Sequence, residues 1–166
     1  MMKTPKILIR KILLGIVLIA IAAGLTVFIK ESLDTQDPES ALPTIKVEYN
    51  GIEMPPAVIY RAGYEWSFFT TMERQAPTLA QEDLPITPYD MQPDANVKIS
   101  FSKTPSTLHV WRANGRYSTN FTELASEDKS TFTTPHDAGV YLYKVKAEWG
   151  SRGFIQYYFA VDVKKQ

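Results

Sequence analysis

Residues 137–163 read DAGVYLYKVKAEWGSRGFIQYYFAVDV, and the pattern of this stretch decides the fold. From Val140 to Trp149 the residues alternate. Tyr141, Tyr143, Val145, Ala147 and Trp149 fall on one side, and Lys144, Lys146 and Glu148 on the other. A period of two belongs to a strand with one covered face, because successive side chains of a strand point to opposite faces. Phe154 to Val163 repeats the pattern, with Ile155, Tyr157, Phe159, Val161 and Val163 on one side. Gly150-Ser151-Arg152-Gly153 between the two runs reads as a hairpin turn. The runs are therefore predicted to be adjacent antiparallel strands at the centre of a sheet.

Asp137-Ala138-Gly139-Val140-Tyr141 opens the first run. D-x-G-x-Y at the start of a penultimate strand resembles the corner of immunoglobulin-like sandwiches. The resemblance implies that Asp137 and Gly139 shape a corner and that the Tyr141 hydroxyl bonds back to backbone upstream. Two residues after the motif tyrosine stands Tyr143 rather than Cys, and the chain has 0 Cys, so apolar packing has to replace an inter-sheet disulfide. Trp66 or Trp111 is the expected core tryptophan.

Short alternating runs continue upstream. Ile45, Val47 and Tyr49 alternate with Lys46 and Glu48, and Asn50-Gly51 follows as a two-residue hairpin turn leading into Ile52–Met54. Ala57–Tyr60 and Tyr64–Phe69 read as two strands joined at Arg61-Ala62-Gly63. Val97–Phe101 alternates, Leu108–Trp111 is predicted to pair with Tyr117–Phe121 through the Asn114-Gly115 turn, and Ser130–Thr133 is a short strand. Closely spaced strands without a βαβ pattern predict an all-β fold, an antiparallel immunoglobulin-like β-sandwich over residues 44–166. Residues 70–95 break the pattern. Four prolines (Pro77, Pro85, Pro88, Pro93) and no alternation predict a long irregular connection, with a short helix at Pro77–Glu82.

The N-terminal segment is of another kind. Ile12–Ile29, ILLGIVLIAIAAGLTVFI, is 18 residues without a charge, about 27 Å as a helix. Four bases precede it (Lys3, Lys6, Arg10, Lys11), which predicts a single transmembrane signal anchor with residues 1–11 as a cytoplasmic basic tail and the rest outside. The competing reading is a signal peptide cleaved after Ala20-Ile21-Ala22, against which the apolar run continues for seven more residues. Residues 30–43 are polar, hold Pro38 and Pro43, and read as a stalk.

The overall charge of zero, 18 bases against 18 acids, conceals a split. Residues 1–30 carry five of the bases and no acid, leaving 13 bases and 18 acids for the body. An acidic body is no nucleic-acid binder. Twenty aromatics, 3 Trp, 9 Tyr and 8 Phe, are enough for a core. No Gly-rich phosphate loop, G-x-S-x-G elbow or H-E-x-x-H occurs, and the two histidines, His109 and His136, lack ligands spaced to complete a metal site. Neither a catalytic set, a cofactor nor a metal site is predicted. The sequon at Asn120 reads as chance.

The body also resembles an uncharacterised group of small membrane-anchored or secreted proteins of Gram-positive bacteria. The likeness runs over Pro43-Thr44-Ile45-Lys46-Val47 with Gly51, Gly63-Tyr64-Glu65-Trp66, Val97-Lys98-Ile99-Ser100-Phe101 with Pro105, Gly139–Tyr143 and Ala147-Glu148-Trp149. It implies location and fold and carries no activity. The expected function is a membrane-anchored extracytoplasmic binding or accessory module that contacts an envelope protein or polymer. Its contact surface is expected on residues 70–95 and the Asn114 turn, through Met72, Tyr89, Met91 and Asn114. Tyr89, Trp111, Tyr117 and Tyr158 are candidates for an aromatic sugar platform. The alternative is a cell-wall or glycan-acting enzyme using two of Glu65, Glu82, Asp83, Asp90 and Asp94, since paired carboxylates across a cleft hydrolyse glycosidic bonds.

Overall fold

The computed structural model describes residues 4–67, 70–77, 85–115, 119–124 and 129–165, and side chains from Leu8 onward. The chain divides into two compact units, the first dominated by the N-terminal helix and the second beginning at Leu42.

Helix α1 spans Thr4–Gln36. Its stretch Leu8–Gln36, 29 residues of mean hydropathy 2.9, is long and apolar enough to cross a membrane, a test that a signal sequence passes equally. Apolar side chains are exposed all round it, as a lipid-facing helix requires. Thr26 within the span donates its hydroxyl to the Ala22 carbonyl at 2.9 Å, so this polar group is satisfied inside the helix. The helix outruns the predicted span by seven residues, taking in half of the expected stalk, and Pro38–Ala41 forms one further helical turn, α2. Polarity alone does not end a helix: no Gly or Pro stands between Lys30 and Asp37, and the residue before Pro38 is where the α conformation becomes disfavoured.

Among the described residues the second unit holds eleven strands: β1 Ile45–Tyr49, β2 Ile52–Glu53, β3 Ile59–Ser67, β4 Thr71–Arg74, β5 Tyr89–Met91, β6 Asn96–Phe101, β7 Thr107–Asn114, β8 Thr122–Glu123, β9 Thr131–Thr133, β10 Gly139–Glu148 and β11 Gly153–Val163. They form a four-stranded sheet in the order β2-β1-β6-β9 and a larger one in the order β4-β3-β11-β10-β7-β8. All pairings are antiparallel except that of β5, which lies parallel to β11. The two long runs of the C-terminal stretch are neighbours at the centre of the larger sheet, in unbroken register from Gly139↔Val163 to Glu148↔Phe154.

Three expected details differ. The two strands read on either side of Arg61-Ala62-Gly63 are one strand, β3, with a bulge where Gln156 faces Gly63 and Tyr157 faces Arg61. Glycine within a strand marks such a bulge as well as a turn. The strand that returns to β7 is Thr122–Glu123 and not Tyr117–Phe121, with Trp111 opposite Glu123. Residues 70–95 carry strands at both ends, β4 and β5, too short for alternation to show; the helix expected at Pro77–Glu82 falls largely outside the described residues.

The two sheets meet through aromatic rings. Tyr143, fully buried, stacks on Phe132 of β9 at 5.1 Å, a contact between sheets, and on Phe159 of β11 at 5.0 Å. Trp66, rather than Trp111, is the buried tryptophan, edge-on to Trp149 at 5.3 Å, and Trp149 in turn meets Phe101 of β6 at 5.6 Å. Tyr157 donates to the Pro43 carbonyl at 2.7 Å and ties the start of the unit to β11. The Tyr141 hydroxyl donates to the Asp137 carbonyl at 2.9 Å.

Tyr141 and Tyr143 make a paired prediction. Tyr141→Phe removes a made hydrogen bond and costs about 1–3 kcal/mol. The Tyr143 hydroxyl is buried beside the Arg112 guanidinium, and burial pushes its phenol up to about 12 against the lowering effect of Arg112. Tyr143→Phe removes a hydroxyl that makes no well-directed hydrogen bond and is expected to cost less than Tyr141→Phe, under about 1 kcal/mol. Urea unfolding of both variants checks this; a larger loss for Tyr143→Phe than for Tyr141→Phe contradicts it.

Candidate functional site

The inward side of the larger sheet is filled by the contacts just described, so its outer side is where side chains are left over. The alternation of β10 and β11 puts Leu142, Lys144, Lys146, Glu148, Phe154, Gln156, Tyr158 and Ala160 there. This outer side is divided into two halves.

One half is closed. Ile86, 2% exposed, is buried against Ala62, Leu142, Tyr158 and Ala160, with Tyr60 and Phe121 at the margin. The small side chains of Ala62 and Ala160 leave the hollow that the isoleucine fills. Upstream, a Cβ on Gly63 would lie 2.5 Å from the Ala76 nitrogen, so the chain leaving β4 runs directly over β3. The described parts of the expected loop, residues 75–77 and 85–88, thus form a strap tied to the sheet at Ala76 and Ile86, the latter continuing as β5. Lys164 fastens β5 by binding Asp90 at 3.0 Å and Asp162 beside it.

The other half is open. Rows of side chains cross it from strand to strand: Trp111 beside Lys144, His109 beside Lys146, and Thr107 beside Glu148. The His109 ring stacks on Trp111 at 5.4 Å. The Lys144 ammonium lies 4.3 Å from the Trp111 ring centre and 4.9 Å from that of Phe121, and Lys146 lies 4.5 Å from that of Phe154. Such cation–π contacts are worth about 0.5–2 kcal/mol each. Lys146 also binds Glu148 at 2.7 Å, a hydrogen bond that holds the Glu148 carboxyl below the usual range. His109 Nδ1 donates to Glu123 at 2.7 Å, and that hydrogen bond, with the charges of His109 and Lys129, lowers the Glu123 carboxyl. Burial and the neighbouring Lys146 lower the pKa of Lys144. A groove of about 260 Å³ continues the open half towards β4, lined by Phe154, Gln156 and the facing pair Glu65 and Glu73.

The contact residues expected from sequence are placed elsewhere. Met91 is 2% exposed, a core residue and not a contact. Tyr89 and Met91 lie beside Val161 and Val163, and Met72 lies beside Trp66, all on the inward side of the sheet. Asn114 is exposed at the end of β7 opposite Tyr141. Tyr89 and Asn114 share one end of the sheet, while Met72 is at the other, about 27 Å away at roughly 3.4 Å per residue. Of the platform candidates, Trp111 is half-exposed, Tyr158 is buried under the strap, and Tyr117 lies outside the described residues.

The acids fare similarly. Asp90 is held by Lys164, and Asp94 is bound by His136 at 2.7 Å, a hydrogen bond that raises the histidine pKa. Glu65 is at the far end of the sheet from both, and Glu82 and Asp83 lie outside the described residues. Among the described residues no group of three metal-ligating side chains occurs. Parity placed Lys144, Lys146 and Glu148 on one face from the start. What sequence reading missed was Phe154, one residue into its strand, and the strap that leaves these residues open while covering Tyr158. No family model matches the chain, and neither a curated protein nor a solved structure matches it.

Proposed function

We propose that the protein is a membrane-anchored, extracytoplasmic binding or accessory module of the cell envelope, with residues 1–11 cytoplasmic and the β-sheet unit outside. One observation carries the binding reading: the larger sheet covers half of its outer side with a strap and leaves the other half lined by half-buried aromatic and charged groups. Lysine stems packed on an indole and a phenyl ring offer a ligand charged and apolar contacts on one face. The apolar helix with bases before it supports the anchor and its orientation. The finer fold assignment, immunoglobulin-like, is likewise proposed. It is supported by the Tyr141 corner and by Tyr143 between the sheets. The alternative, a glycan-acting enzyme, needs two acids about 5–9.5 Å apart across one cleft. Asp90 and Asp94 are engaged by Lys164 and His136, and Glu65 is remote from both; the facing pair Glu65 and Glu73 in the groove beside Phe154 is the pair that a hydrolytic reading would use.

The test is a photo-crosslinking residue placed in the full chain in intact cells. Thr107 is exposed on the open half, and Lys98 is exposed on β6 of the smaller sheet. We expect adducts to an envelope component from position 107 and none from position 98. Equal adducts from both positions, or none from 107, overturn the assignment of the face.

A further inference from the structure

We propose that the open half-face takes an anionic glycan, a hydroxyl-rich polymer bearing carboxylate or phosphate groups, with the Lys144 ammonium receiving the anionic group. The proposal rests on the binding reading above and names the ligand class of the same site.

The backbone argues first for side-chain recognition. β10 is paired along its length with β7 on one side and β11 on the other, in register from Tyr141 to Glu148. Its main-chain donors and acceptors are used in the ladders, so a ligand lying over β10 is met by side chains. What it does offer is an ammonium, an imidazole, a carboxamide and the margins of aromatic rings. That set suits hydroxyls and anionic groups arrayed on a sugar polymer.

The charges argue for an anion. The face carries two acids near Lys144, and both are committed. Glu148 is bound to Lys146 at 2.7 Å, and Glu123 to His109 at 2.7 Å with Lys129 at 3.7 Å. Lys144 has two ring faces as its neighbours, Trp111 and Phe121, and no carboxylate among the described residues. It is the uncompensated cation of the face, half-buried, where an arriving anion meets less competition from water than at an exposed lysine. Residues 31–166 as a whole carry 18 acids against 13 bases. The body therefore repels anionic surfaces at long range, and attraction at Lys144 is a short-range contact. That is the behaviour of a site for spaced anionic groups and unlike a basic surface that binds membranes or nucleic acids broadly. Next to Lys144 on the same side, Gln156 donates its amide to the Tyr158 hydroxyl at 2.8 Å, which fixes the amide with its carbonyl oxygen free to accept a sugar hydroxyl.

The experiment measures binding of four soluble polymers to the full chain in zwitterionic phosphatidylcholine nanodiscs, followed by tryptophan fluorescence. Polygalacturonate supplies carboxylates, phosphorylated dextran supplies phosphates, dextran is neutral, and polyglutamate is an anionic peptide. Both anionic glycans are expected to bind, with dextran and polyglutamate weaker by roughly tenfold or more. The ratio of the two anionic glycans tells carboxylate from phosphate. Lys144→Met keeps the stem and removes the charge, and should weaken both by roughly tenfold. Lys144→Arg keeps charge and ring contact and should retain binding, so that loss in the methionine variant is separable from misfolding. Equal binding of dextran, equal binding of polyglutamate, no binding of either anionic glycan, or unchanged binding by Lys144→Met each overturn the proposal. A crosslink from Thr107 in cells together with any of these outcomes leaves the binding module standing and removes only its ligand class.

Discussion

Gly153→Ala costs the β-sheet unit about 3–5 kcal/mol, which is comparable with the whole stability of many small domains. Two facts combine at this position. Gly153 has φ +122°, in the region that side chains avoid, and a Cβ built there would lie 2.0 Å from the Glu65 carbonyl oxygen and 2.8 Å from its carbon. The obstacle is backbone on the neighbouring strand, Gly153 facing Trp66 in register, so no rotamer change relieves it. The ladder between β3 and β11 has to open at this end, disturbing the contact between Trp66 and Trp149. Gly51→Ala is the control. Gly51 also has positive φ, +82°, following Asn50 at +47°, but nothing lies within 4 Å of its added Cβ. It loses only backbone preference, about 1–2 kcal/mol. Denaturant unfolding of the full chain in micelles, read by tryptophan fluorescence, separates the two. Equal losses would mean that the close approach to Glu65 is relaxed at little cost.

Replacing Gln75–Asp90 by a Gly-Ser linker is expected to lower the unfolding midpoint sharply and to cause self-association. A plain loop would tolerate the change, because closure entropy varies slowly with length. This segment is not plain. It removes Ile86 from over Ala62, Leu142, Tyr158 and Ala160, uncovering an apolar patch, and it removes the pairing of Tyr89 and Asp90 with β11 and the ion pair between Asp90 and Lys164. Ile86→Ala isolates the plug and should cost about 2–4 kcal/mol. A strap-less chain that stays monomeric with an unchanged midpoint would show that the outer side does not need covering.

The legible parts of this fold were those in which one face of a long element is uniformly covered. β10 and β11 alternate over ten residues or more, and their adjacency and inward face followed from that. The turn at Asn50-Gly51 and the Tyr141 hydrogen bond were legible because each depends on a few residues in fixed order. The misplacements share a cause. Strands of three or four residues such as β4 and β5 show no period, so Met72, Tyr89 and Met91 read as loop contacts, although they lie on the inward side. Tyr158 is the converse: its parity puts it on the outer face, and only the long-range arrival of Ile86 buries it. The candidate site suffered in the same way. Lys144, Lys146 and Trp111 were visible as outward residues, yet what distinguishes them is what the strap leaves uncovered, and that depends on residues more than 20 positions away in sequence.

The central claim is that the β-sheet unit stands outside the membrane with the open half of its larger sheet occupied. The absence of any cysteine from the chain makes this directly measurable with single substitutions, Thr107→Cys on the open half and Lys98→Cys on the smaller sheet. Intact cells are treated with a membrane-impermeant maleimide, and the rates are compared with those of the purified full chain. Both positions are predicted to react without permeabilisation, with position 107 slower in cells than in the purified protein and position 98 equally fast in both. Reaction only after permeabilisation would contradict the placement outside, and an unslowed position 107 would contradict an occupied face.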